Sequence, residues 1–254
     1  MNLLEARRLA IGYRSHRVGE NIDLAITAGE VLCLLGPNGG GKTTLFRTLL
    51  GVIPALAGEV RVANRPLCEW SRRDLARHIG YVPQVHAGLF AFTVEDVVLM
   101  GRTARMSRFG RPLALDHAAA LTALKRLGIA SLAGRIYTQI SGGERQLTLI
   151  ARALANEPSD LILHEPTARL DFGNQIRVLT EIERLRNDGI AVLMSTHHPE
   201  HALMIADRIA LLKSGCLISV GSARETVTPE MLAALYNTDI DAVIARMPSV
   251  WSRS

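Results

Sequence analysis

Short apolar runs bounded by glycine or proline alternate along the chain with longer stretches of helical period, the pattern of α/β folding around a mainly parallel sheet. Residues 9–13 and 22–26 predict an opening pair of strands, the second in strict alternation. Residues 31–35 are unbroken apolar, as a strand buried on both faces requires, and run into a glycine-rich stretch and a helix from about residue 42. Residues 59–62 and 80–83 predict further strands, with a short helix over 71–79 between them, and residues 161–163, 191–195 and 209–212 continue the sheet. Between Gln84 and Asn156 the period turns helical: Thr93 to Asp96 has the form of a capping box, followed by helices over 115–127 and 141–155. An inserted helical subdomain is expected there.

Composition excludes several classes. With 254 residues, 48% hydrophobic and 21% charged, the chain is an ordinary globular one and not disordered. Its longest apolar stretches, such as 31–35 and 190–194, fall far short of the roughly 20 residues of a membrane-spanning helix. Glu5 and Arg8 break the pattern of an export signal, so none is expected. Cys33, Cys68 and Cys216 are widely spaced and are expected as free thiols, with Cys33 and Cys216 buried in strand-like runs. The net charge of +5 suits an anionic partner, a nucleotide, a nucleic acid or an anionic lipid surface. Aromatic residues at 4% are too few for a platform that stacks single-stranded nucleic acid, and no nucleic-acid partner is expected.

The strongest chemical signal is Gly36, Pro37, Asn38, Gly39, Gly40, Gly41, Lys42, Thr43 and Thr44, which match G-x-x-x-x-G-K-[ST] with a strand before and a helix after. Glycines there let successive N–H groups converge on phosphate oxygens, and the helix N-terminus adds partial positive charge. Lys42 is expected to reach the β and γ phosphates, and the Thr43 hydroxyl to ligate Mg²⁺. This loop leaves kinases, GTPases, recombinases and transport ATPases open. The run Ile140-Ser141-Gly142-Gly143-Glu144-Arg145-Gln146 narrows the choice. Ser141 and Glu144 form a capping box in their own right, and the two glycines expose N–H groups of the kind a γ-phosphate needs.

Together these runs resemble the ATP-binding cassette (ABC) family. Tyr81-Val82-Pro83-Gln84 is similar to its Q-loop, Ala168-Arg169-Leu170-Asp171 to its D-loop, and Ser195-Thr196-His197 to its switch-histidine strand end, in the family's order over essentially the whole chain. The resemblance implies an α/β P-loop NTPase (RecA-like) core with an antiparallel β edge and an inserted helical subdomain. Residues 1–88 and 157–254 would be the two parts of the core, and 89–156 the insertion. It also implies ATP hydrolysis with Mg²⁺ by two copies paired head to tail. Ser141, Gly142 and Gly143 would then act on the partner's nucleotide, with Asp171 beside them. Glu165 would polarise the attacking water, Gln84 would sense that water and Mg²⁺, His197 would contact the γ-phosphate, and Tyr13 would stack on adenine. One position departs from the pattern. His164 stands where the family has an aspartate that steadies Mg²⁺, an ion that prefers oxygen ligands. Asp160, four strand residues away at about 13 Å, cannot replace it. Slower turnover is expected, worsening as pH falls through about 6.5 and an unperturbed imidazole becomes cationic.

Residues 90–102, with Arg105, Arg108, Phe109 and Arg111 after them, resemble the bacterial importer cassettes for iron–siderophore, haem, cobalamin or molybdate. The partners this implies are a second copy, integral-membrane permease subunits and, indirectly, a substrate-binding protein, with the chain peripheral on the cytoplasmic face of the cell membrane. Arg102, Arg105, Arg108 and Arg111 fit either a solvated loop or a surface docked on permease or lipid headgroups, with Phe90, Phe92 and Phe109 as candidate anchors. A repair or translation ATPase of this family would bring a long coiled coil or a second cassette, and neither is present. A nucleotide switch that hydrolyses poorly would follow from His164.

Overall fold

The computed structural model describes residues 2–14, 16–84, 91–107 and 110–246. Its centre is a six-stranded sheet in the order β10-β9-β3-β8-β7-β6. These strands are β3 (Val31–Leu35), β6 (Ile79–Val82), β7 (Asp160–His164), β8 (Ala191–Thr196), β9 (Arg208–Lys213) and β10 (Cys216–Ser222). All neighbours are parallel except β10, which pairs antiparallel with β9. Every residue of β3, β7 and β8 is buried, so both faces of the sheet meet apolar layers. Alternation divides them: Val31, Cys33 and Leu35 join one core with Leu161, Leu163, Val192 and Met194, while Leu32 and Leu34 join the other with Ile162 and Leu193.

The second core is closed by α1 (Lys42–Leu49) and by an antiparallel sheet in the order β2-β1-β4-β5, built from β1 (Asn2–Tyr13), β2 (His16–Thr27), β4 (Ala57–Val62) and β5 (Arg65–Pro66). α2 (Arg72–His78) leads into β6. The first core is covered by α3 (Val94–Leu99), α4 (Ala114–Arg126) and α5 (Gly142–Leu154), all between β6 and β7 in sequence, and by α6 (Phe172–Asn187) and α7 (Pro199–Ile205). After β10 the described residues form α8 (Ala223–Thr226), α9 (Pro229–Tyr236) and α10 (Ile240–Ile244). The capping boxes expected at Thr93/Asp96 and Ser141/Glu144 are both present. No helix among the described residues is long and apolar enough to cross a membrane.

Several expectations are corrected. Arg102 is neither solvated nor a docking residue: it is 4% exposed, pairs with buried Asp116 at 3.0 Å and donates to the Ala155 carbonyl at 2.9 Å. Arg105 remains exposed, as a solvated loop residue would be, while giving two hydrogen bonds to the Asn156 carbonyl at 3.1 and 2.9 Å. Phe92 is 42% exposed, Arg111 is exposed, and Phe90, Arg108, Phe109 and the 88/89 boundary lie outside the described residues. Cys33 is buried as expected, but Cys216 is exposed, because it opens an edge strand whose exposure alternates with solvent. β1 runs seven residues further back than its apolar stretch predicts, since register shifts let polar Glu5, Arg7 and Arg8 stay in the strand.

Asp160 opens β7 with 2% exposure and neither carboxylate oxygen hydrogen-bonded. The neighbouring Ser159 hydroxyl spends its proton on the His78 carbonyl at 3.2 Å. Burial therefore pushes the Asp160 carboxyl up to about 7, with Ser159 opposing only weakly. Its folded value lies above that of an unfolded aspartate, so the stability it allows is fully present below about pH 4 and lost as pH rises through about 7. Asp160→Asn is expected to melt close to the parent at about pH 4 and well above it at about pH 8, by no more than about 4 kcal/mol. Thermal unfolding of both forms across that range checks this, and a pH-independent difference contradicts it.

Candidate nucleotide site

The glycine-rich loop follows β3, and its conformation explains its composition. A Cβ on Gly36 would lie 2.2 Å from the Leu212 carbonyl oxygen, and Gly39 and Gly41 have φ of +80° and +102°. Gly41 caps α1 without a side-chain acceptor, so the first-turn N–H groups of Lys42, Thr43 and Thr44 have neither an intrahelical nor a capping partner. Leu45, Phe46 and Leu49 anchor the helix in the core at 0% exposure. From the far side, Gly215 in the β9–β10 turn donates its N–H to the Gly40 carbonyl at 3.0 Å. A cavity of about 670 Å³ opens over this loop, lined by residues 37–44 with Gln84, His164 and Glu165. Lys42 Nζ donates to the carbonyls of Gly36 at 2.6 Å and Pro37 at 3.0 Å, and burial lowers its pKa against the opposing pull of Glu165.

The opposite wall is the end of β7. Glu165 is 6% exposed and holds a left-handed φ of +50°, a strained conformation for this residue. Its N–H donates to the Ser195 carbonyl at 3.1 Å, which ties the end of β7 to β8. Around its carboxylate stand Lys42 Nζ at 3.5 Å, Gln84 Nε2, which donates at 2.8 Å, and His197 Nδ1 at 3.3 Å without hydrogen-bond alignment. His164 Nε2 lies 2.9 Å from Thr43 Oγ1, and the Phe46 ring meets the imidazole edge to face. Burial lowers the pKa of His164, Lys42 and Arg47 push the same way, and Glu165 opposes. The ring is thus biased toward its neutral form relative to an unperturbed histidine.

Four groups predicted at the chemistry, Lys42, Gln84, Glu165 and His197, therefore meet at one carboxylate. Tyr13 does not line the cavity: it is 43% exposed, and its hydroxyl accepts a hydrogen bond from Arg47 at 3.0 Å. That end is walled instead by His16, Arg17, Val18 and Ser214, which no motif marks. Ser141, Gly142, Gly143 and Asp171 also lie away from it and form a separate corner. There Asp171 caps α6 through Asn174 N–H at 2.8 Å, and a Cβ on Gly143 would strike the Asn174 side chain at 2.0 Å.

A family model described as ABC transporter matches residues 19–168, more than half the chain. The chain belongs to the ABC transporter family. An uncharacterized ABC transporter ATP-binding protein of Haemophilus influenzae is 45% identical over 236 residues, covering 93% of this chain and 90% of the relative. A hemin import ATP-binding protein of Nocardia farcinica is 37% identical, covering 94% of this chain and 84% of its own. Among solved structures, an inward-facing transporter assigned to the metal-chelate ABC type superposes with a TM-score of 0.84 at 34% identity, covering 93% of this chain and 90% of its own. The fold is accordingly the P-loop NTPase fold of ABC ATPases. Lys42→Ala is expected to weaken ATP binding by about 2 kcal/mol or more, as loss of a charged phosphate partner does. Equilibrium titration with a fluorescent ATP analogue checks this, and unchanged affinity contradicts the assignment of the loop.

Proposed function

We propose that this chain is the ATP-hydrolysing subunit of a bacterial importer that drives uptake of an iron chelate through a separate membrane permease. The observation that carries this is a nucleotide cavity whose loop, carboxylate and histidine converge in a chain related to a hemin import ATP-binding protein and a metal-chelate transporter. The segments 1–88 and 157–254 then act as one ATP-binding core, with 89–156 as the helical part that meets the permease. The chain sits at the cytoplasmic face of the membrane through that permease, which a substrate-binding protein supplies. Uptake assays with hemin, ferric siderophores, cobalamin and molybdate, after capture of the permease, test the substrate. Transport of none of them rejects the importer reading.

In this reading the first-turn N–H groups of α1 and the Lys42 ammonium bind the β and γ phosphates. Glu165 takes the proton of the attacking water, Gln84 orients that water, and His197 donates to the γ-phosphate. Because Ser141 and Gly143 lie in a corner apart from the cavity, they serve the nucleotide of a second copy, with Gly142 and Asp171 beside them. Tyr13 meets adenine only if its ring leaves Arg47. The donors around Thr43 fit a divalent cation: the Thr43 hydroxyl, the Gln84 amide oxygen and the Glu165 carboxylate are oxygen ligands, and His164 is a neutral nitrogen beside them. Among the described residues no cluster of three or more His, Cys, Asp or Glu side chains could hold a metal ion. Mg²⁺ supplies neutralisation of the charge that develops on the phosphates.

His164 favours a slow version of this enzyme, because the family's negative charge beside the cation is missing. His164→Asp is expected to raise turnover about 10-fold or more and to lower the Mg²⁺ requirement. Because burial lowers the imidazole pKa, protonation is expected to add less to the gain at about pH 6 than it would for an unperturbed histidine with a pKa of about 6.5. Turnover against Mg²⁺ for both forms at both pH values measures this, and superimposable curves would make His164 a tolerated variation. Glu165→Gln should bind ATP and accumulate as a dimer in sizing chromatography. A monomer at saturating ATP, with the permease present, contradicts the paired site.

A further inference from the structure

We propose that Tyr236, in the C-terminal helix α9, is a positioning residue that fixes His197 for its contact with the γ-phosphate. The inference rests on the role given to His197 above. The Tyr236 hydroxyl donates to the His197 carbonyl at 2.9 Å, across 39 residues of chain. That carbonyl lies just beyond the end of β8, where the sheet no longer supplies a partner. Apart from the Glu165 carboxylate 3.3 Å from its Nδ1, His197 has little else to hold it. Its Nδ1 is buried without a hydrogen bond, and its ring rests on the ring of His198 with centroids 4.1 Å apart. A third ring continues the stack: His198 lies 4.8 Å from His201, and His201 Nδ1 is 3.1 Å from Thr167 Oγ1 in the loop after Glu165. The His198 N–H is taken by Thr196 Oγ1 at 3.0 Å, so the main chain is clamped on both sides of the His197 side chain.

The phenol is itself held rigidly. Leu232 and Leu235 of α9 are buried in the core at 4% and 0% exposure, and Thr228 caps the helix through Met231 N–H at 3.3 Å. Lys213 ties the end of the helix to β9, donating to Asn237 Oδ1 at 2.5 Å and to the Ala234 carbonyl. Burial, with Glu200, Cys33 and Glu165 pushing the same way, raises the pKa of the phenol further above its ordinary value, so it remains a neutral donor at working pH. A carboxylate base and a histidine must both sit within hydrogen-bond reach of the reacting atoms, and an error of about 1 Å can cost on the order of 100-fold in rate. A hydroxyl that fixes the backbone of one of them is therefore worth turnover without touching the nucleotide.

Tyr236→Phe removes that hydroxyl and nothing else. It is expected to lower kcat about 5- to 10-fold while nucleotide affinity stays within about 2-fold and the melting temperature changes little, a split that a merely structural role would not produce. The His197 ring resonances in histidine-labelled protein should shift, whereas those of His16, which faces the cavity from β2, should not. In a His197→Ala background the same substitution should cost nothing further in single-turnover hydrolysis. Unchanged kcat with unmoved His197 resonances overturns the proposal, as does an undiminished cost in the His197→Ala background or a loss of rate matched by lost affinity and melting temperature. Full hydrolysis by His197→Ala alone would overturn the role of His197 itself, and with it this one.

Discussion

Everything chemical in this molecule depends on four adjacent parallel strands, β3, β8, β7 and β6, ending at the same edge of one sheet. Parallel pairing sends each chain back through a crossover before the next strand begins, so the loops that follow those strands are free to differ while their starting points stay fixed. The phosphate loop follows β3, His197 follows β8, Glu165 follows β7 and Gln84 follows β6. Two-sided burial makes the edge rigid: a shift of any central strand would open both apolar cores at once.

At that edge, Glu165 is the point of convergence. Its backbone is strained, its side chain is almost fully buried, and three polar side chains from three other loops reach its carboxylate. Such a group could not be left unpaired without a large desolvation cost, so its partners stabilise the fold around it. His164 belongs to the same design. By bonding Thr43 and packing on Phe46 it keeps β7 stitched to α1.

How much of this the sequence revealed depends on how local each determinant is. The phosphate loop and both capping boxes were legible because their backbones demand particular residues at fixed short spacings, as the φ values of Gly39 and Gly41 bear out. The central strands were legible because burial on both faces removes polar residues from them. What was not legible depends on contacts distant in the chain. Arg102 looks like a surface cation until Asp116, fourteen residues on, is folded against it. Helix α6 carried a readable stripe in Val178, Ile182 and Leu185, but its charged outer face concealed it. The walls contributed by His16 and Val18, and the bond from Tyr236, have no sequence spacing to betray them.

The position of Lys42 has a consequence for the resting protein. Its ammonium is satisfied internally by two loop carbonyls and lies beside Glu165, so the ammonium and the carboxylate occupy one another. A polyphosphate entering the cavity must compete for that ammonium, and in winning it loosens one of the three groups that immobilise the carboxylate. In the proposed mechanism, where Glu165 is the base, its release is thereby interlocked with arrival of the polyphosphate.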